Sequence, residues 1–298
     1  MSDYTTFTAP VTGGSIHGGV WNPGALGEPV LAIHGITASR LAWPFVAERL
    51  TGIRLIAPDL RGRARSNQLP PPWSMTDHAD DMARVLDALH LNRAVVVGHS
   101  MGAFVAVRFA AQYPDRVSSL LLVDGGLPLA TRDDIPNAEM ALQLLGPAAE
   151  RLTRLYPDRE TYIREWQQHP SLRDHWNDRV RDYVNYDLDE APGGFRSSAR
   201  LEAILTNIVQ QGAGGGYQEA LAGLTVPVEF IRSPRGLLNE VPPLYPISLV
   251  QSAQAVLPAL IAHEAIDVNH YTIVMSDEGA EQVAPLVRAQ VAAAGEAT

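Results

Sequence analysis

Ala94-Val95-Val96-Val97-Gly98-His99-Ser100-Met101-Gly102 runs from a short apolar stretch, through a glycine-flanked serine, into the helical pattern of Met101 to Gln112. An apolar run of this length without alternation fits a strand of a parallel sheet buried on both faces. The turn after it must be sharp. Its central residue is expected in a strained conformation, with small neighbours letting the backbone pass closely. The Ser100 hydroxyl then stands above the sheet at a helix N-terminus, where negative charge is favoured. Ser100 is the candidate nucleophile.

The same strand-like signal recurs on both sides. Pro29-Val30-Leu31-Ala32-Ile33 ends at His34-Gly35, and Ile53-Arg54-Leu55-Ile56-Ala57 ends at Pro58-Asp59. Val117 to Val123 ends at Asp124-Gly125-Gly126. Between these runs, Thr76 to Leu89 places Met82, Val85, Leu86 and Leu89 at helical spacing, with Thr76 and Asp77 as a start signal. Strands and helices alternating over short loops predict a mostly parallel, doubly wound α/β fold.

From about Leu127 to Leu224 the pattern becomes helical, polar and aromatic, with no convincing buried strand. Four glycines between Gly212 and Gly216 predict local flexibility. Sheet-like runs resume at Val226 to Ile231 and at Leu260 to Ile266, and a closing helix is expected over roughly Glu278 to Ala294. Residues 127–224 therefore read as a helical cap inserted into one core formed by residues 1–126 and 225–298. The alternative is a helical domain packed beside the sheet.

A serine hydroxyl is a weak nucleophile at neutral pH and needs a base. Of the nine histidines, His270 in Asp267-Val268-Asn269-His270-Tyr271 lies after the last β run and before the final helix. That position suits the chain order Ser, acid, His. His263 falls inside the β run and is expected to be packed. His34-Gly35-Ile36-Thr37 forms a glycine turn that can aim the Ile36 amide at the site, with the Met101 amide following the nucleophile. Two such donors would hold a tetrahedral oxyanion, each contributing on the order of 3 kcal/mol. His34 itself reads as structural.

Composition narrows the partners. Hydrophobic residues are 46% and charged residues 19% of the chain, normal for a globular protein. The formal charge of −10 argues against nucleic acid or an anionic membrane as the main partner. There is no cysteine, so disulfides, thiolate catalysis and Cys-based zinc sites are excluded. Met1-Ser2-Asp3-Tyr4 shows no signal-peptide pattern, and no stretch approaches the about 18 apolar residues of a membrane span. A cytoplasmic location is the expectation; the oligomeric state stays open.

His34-Gly35, Asp59-Leu60-Arg61-Gly62, Gly98-His99-Ser100-Met101-Gly102 and Asn269-His270 together resemble, in order and spacing, the α/β-hydrolase superfamily. The resemblance covers essentially the whole chain, with a cap after the sixth strand. It implies a Ser–His–acid hydrolase without metal or organic cofactor. The chain departs from the family at Arg63-Ala64, where His-Gly is usual. It departs again after the seventh strand, where Asn239 stands near the position of the usual acid, with Glu240 beside it. Some superfamily members, including lactonases opening resorcylic lactones, carry the acid after the sixth strand, which here is Asp124. Asp124 and Glu240 are both candidates for the acid, and Asp124 also reads as a turn residue before glycine.

A serine at the elbow excludes the dehalogenase and epoxide hydrolase branches, which use aspartate there. The resemblance then implies a carboxylesterase or lactonase acting on a small-molecule ester or lactone. Trp166, Trp176, Tyr183 and Tyr186 are candidates to line an apolar substrate pocket, or simply to fill the cap interior. A carbon–carbon bond hydrolase is the second reading, with Arg196, Arg200 or Arg232 as a carboxylate binder. A non-catalytic ligand receptor on the same fold is the third.

Overall fold

Residues 3–129, 147–212 and 214–296 are described by the computed structural model. The parallel centre of the sheet consists of β3 (Val30–Ile33), β4 (Leu55–Pro58), β5 (Ala94–His99), β6 (Val117–Val123), β9 (Val228–Arg232) and β10 (Ile261–Glu264). An antiparallel hairpin, β1 (Tyr4–Val11) and β2 (Gly14–Trp21), extends one side, giving the order β1-β2-β4-β3-β5-β6-β9-β10. The hairpin is not legible as strand in the sequence. Much of β1 is exposed, and glycines break up β2, so neither carries a continuous apolar signal.

Alternate residues of the central strands feed two cores, as a period of two requires. Leu31, Ile33, Val96, Leu120 and Leu122 face one layer, with α2 (Met75–Ala88) and α3 (Met101–Gln112). Val30, Ala32, Val95, Val97, Leu121 and Val123 face the other. That layer contains α1 (Pro44–Arg49) and the C-terminal helix Asp277–Glu296. The helix α2 starts earlier than its apolar spacing suggests. Ser74 is the N-cap, its hydroxyl accepting from the Asp77 amide while the Asp77 carboxylate accepts from the Ser74 amide.

Between β6 and β9, the described chain forms α4 (Pro147–Thr153), α5 (Arg159–Gln167), α6 (Asp178–Tyr186), α7 (Leu201–Ile208) and α8 (Tyr217–Ala222). It also contains a short hairpin, β7 (Leu188–Ala191) and β8 (Gly194–Ser197). These strands are four residues each and half exposed, so no buried apolar run announces them. Ion pairs and hydrogen bonds tie α4, α6, β7 and α7 to loops that follow β3 and β4. These elements thus lie over the carboxyl edge of the sheet. The last helix, α8, behaves differently: Tyr217 stacks on Phe104 of α3 and donates to the Gly126 carbonyl. The glycine-rich stretch before it is partly fixed, because Arg108 donates to the Gly215 and Gly216 carbonyls. Among the described residues, no helix is long and apolar enough to cross a membrane.

Arg61 anchors the loop after β4. Its guanidinium forms a two-pronged contact with Asp81 of α2, at 2.6 and 2.8 Å, and also donates to the Thr12, Pro70 and Pro72 carbonyls. Both charged side chains are almost fully buried, so removing one strands the other without water. Asp81→Ala is expected to cost about 3–5 kcal/mol of stability, read as a lower urea midpoint, whereas Asp80→Ala on the same helix should cost under about 1 kcal/mol.

Candidate active site

Ser100 sits between β5 and α3 with φ +54 and ψ −124, a backbone conformation that few non-glycine residues adopt. The close packing that enforces it is visible at two glycines. A Cβ at Gly102 would collide with the Ile33 carbonyl of β3, and one at Gly98 with the backbone of Ala103. Only glycine lets β3, β5 and the first turn of α3 converge this tightly.

His270 lies in the loop after β10, with Nε2 3.0 Å from Ser100 Oγ and Nδ1 2.6 Å from Asp124 Oδ2. Asp124 follows β6 directly, has no exposed surface and takes a positive φ of +43. Its amide donates to the Ile231 carbonyl of β9, and its Oδ1 accepts from the Ser233 amide at 2.9 Å. With Asp124 ionised, Nδ1–H of His270 donates to the carboxylate. Nε2 is then the acceptor for the Ser100 hydroxyl.

The other candidate acid lies elsewhere. Glu240 is exposed, and its carboxylate accepts from the Leu238 amide within its own loop. Asn239 accepts from the Asn269 side chain at 3.3 Å instead of contacting His270. Asn269 caps the turn after it, its Oδ1 accepting from the Tyr271 and Thr272 amides. His263 is held by Glu229 within the sheet.

Two buried histidines frame the site. His34 Nδ1–H donates to the Gly35 carbonyl at 2.8 Å, and its Nε2 accepts from the Leu60 amide at 2.9 Å. Gly35 O belongs to the same peptide group as the Ile36 N–H, so His34 fixes the plane of that amide. Complete burial pushes the His34 imidazole down to about 3, so it stays neutral. His99 Nε2–H donates to the His270 carbonyl at 2.8 Å and so pins the backbone that carries the candidate base. Burial, with His270 beside it, holds His99 well below the usual imidazole range. The sequence contains the signal for His99, next to Ser100, but not the fold that brings residue 270 against it.

A cavity of about 40 Å³ opens beside Ser100. Its walls include Ile36, Thr37, Tyr183, Leu237, Tyr271 and Met275. Tyr183 is the one of the four expected aromatic residues on this wall. Trp166 lies behind it, in edge contact with Tyr183 and Tyr271 and under the Arg151 guanidinium. Trp176 is half-buried against the apolar cluster that also holds Trp166 and Tyr183, and it is not among the residues lining the cavity. Tyr186 is also away from it: its hydroxyl donates to buried Asp59 at 2.7 Å, and Arg40 and Arg65 lie over its ring. A ring held by two guanidiniums and a carboxylate is a tether, not a pocket wall. Arg200 is occupied with the Asn67 carbonyl and Gln68, and Arg232 with Tyr245 O and Glu264. Arg196 lines a separate polar groove.

Such a fold, with a serine elbow, a histidine after the last strand and a carboxylate between them, defines a class that sequence comparison identifies directly. A profile of the alpha/beta hydrolase fold matches residues 28–263, and the chain belongs to that family. A serine hydrolase-like protein of Danio rerio is 31% identical over 212 residues, covering 68% of this chain and 64% of the relative. The lipase LipV of Mycobacterium tuberculosis is 40% identical over 100 residues, 34% of this chain and 38% of that protein. The chain thus spans less than two thirds of the length of these relatives. Among solved structures, E-2-(acetamidomethylene)succinate hydrolase superposes with a TM-score of 0.77 at 22% identity, over 96% of this chain and 100% of that one. The thioesterase domain from the curacin biosynthetic pathway gives 0.74 at 24% identity, over 96% and 99%. At these identities the two structures show the shared fold.

The buried neutral histidines make stability pH-dependent. Unfolding releases His34, His78 and His99 to take up protons near pH 6.5, which the folded protein cannot do until far lower pH. Stability is therefore lost as pH falls below about 6.5, by up to about 2 kcal/mol per histidine at pH 5. The urea midpoint should drop between pH 7.5 and pH 5, and His34→Gln should flatten that drop by about one proton's share. An unchanged slope in the variant would show that His34 titrates normally in the folded state.

Proposed function

We propose that this chain is a serine hydrolase that cleaves a carboxylic ester or lactone. Ser100 is the nucleophile, His270 the general base and then acid, and Asp124 the carboxylate that orients His270 and stabilises its imidazolium. What carries the reading is the continuous hydrogen-bonded series from Ser100 Oγ through both nitrogens of His270 to Asp124. In this mechanism Nε2 takes the hydroxyl proton as Oγ attacks the acyl carbon. The oxyanion forms toward the Ile36 and Met101 amides. Its collapse expels the alkoxide, which takes the proton from the imidazolium. Water then repeats the sequence on the acyl-enzyme and returns Ser100.

The segment 127–224, of which residues 130–146 lie outside the described residues, is read as the cap of this site, over a core of residues 1–126 and 225–298. Tyr183 is its contribution to the cavity wall. The wall residues are largely apolar, and Arg196, Arg200 and Arg232 lie elsewhere, which favours a neutral acyl group over a carboxylate-bearing diketone. The small cavity suits a short acyl chain.

A panel of p-nitrophenyl esters and simple lactones tests this directly. Acetyl and propionyl esters should be hydrolysed ahead of octanoyl, and Ser100→Ala should abolish turnover. Asp124→Ala should lower kcat by about 10³- to 10⁴-fold, while Glu240→Ala stays within about threefold of wild type. The reverse pattern at Asp124 and Glu240 would reassign the acid. No turnover across the panel, with Ser100 still labelled by a fluorophosphonate, would favour a receptor.

A further inference from the structure

Among the described residues, buried arginines Arg40, Arg61 and Arg151 each have a carboxylate within ion-pair distance, on Asp59, Asp81 and Asp187. Arg63, which has no exposed surface at all, has none in that set. Its donors go to neutral groups. Nε donates to the Ile36 carbonyl at 3.0 Å, and Nη1 to the Arg61 carbonyl at 3.0 Å. Nη2 donates to Asn207 Oδ1 at 2.6 Å and lies 3.6 Å from the Met101 sulfur. Burial lowers the guanidinium to about 9, so it remains charged at neutral pH. The nearest imidazoles do not add to or offset that charge, because His34 and His78 are both held neutral.

A buried cation without a counter-ion is costly, so its placement calls for a physical reason. The two residues it touches besides the Arg61 carbonyl and Asn207 are Ile36 and Met101, whose amides face the developing oxyanion in the mechanism above. We propose that Arg63 is a positioning residue of the oxyanion site, fixing Ile36 and Met101 from behind and supplying to that side of Ser100 a positive charge that no carboxylate among the described residues pairs with. This rests on the serine hydrolase reading. In a water-excluded interior, a fixed charge of this kind acts on the negative charge of the tetrahedral adduct far more than on the neutral ester. Asn207 is what keeps the charge uncompensated. Its amide oxygen accepts from Nη2 and from His78 Nε2–H, and its Nδ2 donates to the Trp73 carbonyl. A carboxylate of nearly the same shape at this position would cancel the charge without removing the arginine.

Asn207→Asp is therefore the informative variant, measured at pH 8. The phosphonylation rate of Ser100 by a fluorophosphonate should fall about tenfold or more, and kcat for p-nitrophenyl acetate should fall in parallel. KM should stay within about threefold; the Asp variant loses the bond that Asn207 Nδ2 donates to the Trp73 carbonyl, and Asn207→Ala, which loses the same bond, is the control for that loss. A purely structural role predicts a loss in Asn207→Ala at least as large as in Asn207→Asp, since Ala gives up the bonds to both Trp73 and Arg63 whereas Asp keeps the one to Arg63. Asn207→Ala leaves the charge in place and should react within about threefold of wild type. A wild-type rate in Asn207→Asp, or equal losses in the Asp and Ala variants, overturns the proposal. If the Asp variant does not fold, Arg63→Lys should retain a clearly higher phosphonylation rate than Arg63→Met, and equal rates overturn it. Failure of the fluorophosphonate to label wild-type Ser100 would instead remove the hydrolase reading, and this proposal with it.

Discussion

The Asp124 carboxylate, without exposed surface, joins three separate parts of the sheet edge. Its backbone leaves β6 and donates to β9, its Oδ1 accepts from Ser233 just beyond β9, and its Oδ2 meets His270 beyond β10. A buried carboxylate needs its lone pairs satisfied, and here two donors from different loops do so. The loop carrying His270 is thereby fixed against the elbow carrying Ser100. The positive φ of Asp124 is part of the same constraint, since it turns the side chain back over the edge instead of out along the strand.

Around this point the interior is organised by charge as much as by apolar packing. Asp59 receives Arg40 and Tyr186, so the loop after β4 is bound both to the segment between β3 and α1 and to α6. Arg151 donates to Tyr162 at 3.0 Å, sits near Asp187, reaches the Thr37 hydroxyl at 3.4 Å and covers Trp166. Each is a compensated set, in which hydrogen bonds to the charged form offset the desolvation cost. Arg63 stands apart from them, and it is the one placed behind Ile36 and Met101. Among the described residues, the framework cations are paired with carboxylates, whereas the arginine beside the elbow is held by neutral acceptors.

The helices between β6 and β9 do two different jobs. Tyr183 reaches the cavity wall, whereas Tyr186, only three residues on along the same helix, turns to Asp59. Residues three apart on a helix share a face, so a small rotation separates a wall from a tether. The aromatic content of this segment is therefore mostly spent on its own interior and on its attachment to the sheet edge, with Tyr183 and the Tyr271 beside it left to shape the space above Ser100.

The sequence by itself determined the parallel strands, because short uniform apolar runs bounded by glycine or proline have few other stable placements. It also determined the elbow, because Gly98-His99-Ser100-Met101-Gly102 between such a strand and a helix admits one sharp turn. The hairpin β1–β2 and the pair β7–β8 were hidden: β1 is largely exposed and threonine-rich, β2 is broken up by glycines, and β7 and β8 are four-residue strands carrying charge, so none shows a continuous apolar run. At the site, local sequence named Ser100, His270, Asp124, Ile36 and Met101, but it could not choose between Asp124 and Glu240 as the partner of His270. That choice depends on which loop ends against an imidazole more than a hundred residues away. The same holds for His99 beneath the His270 carbonyl, for Arg63 behind Ile36, and for Tyr186 turning from pocket to tether. Periodicity and turn chemistry are local and survive in one dimension; the pairing of buried polar groups is settled only where the folded chain brings donors and acceptors together without water.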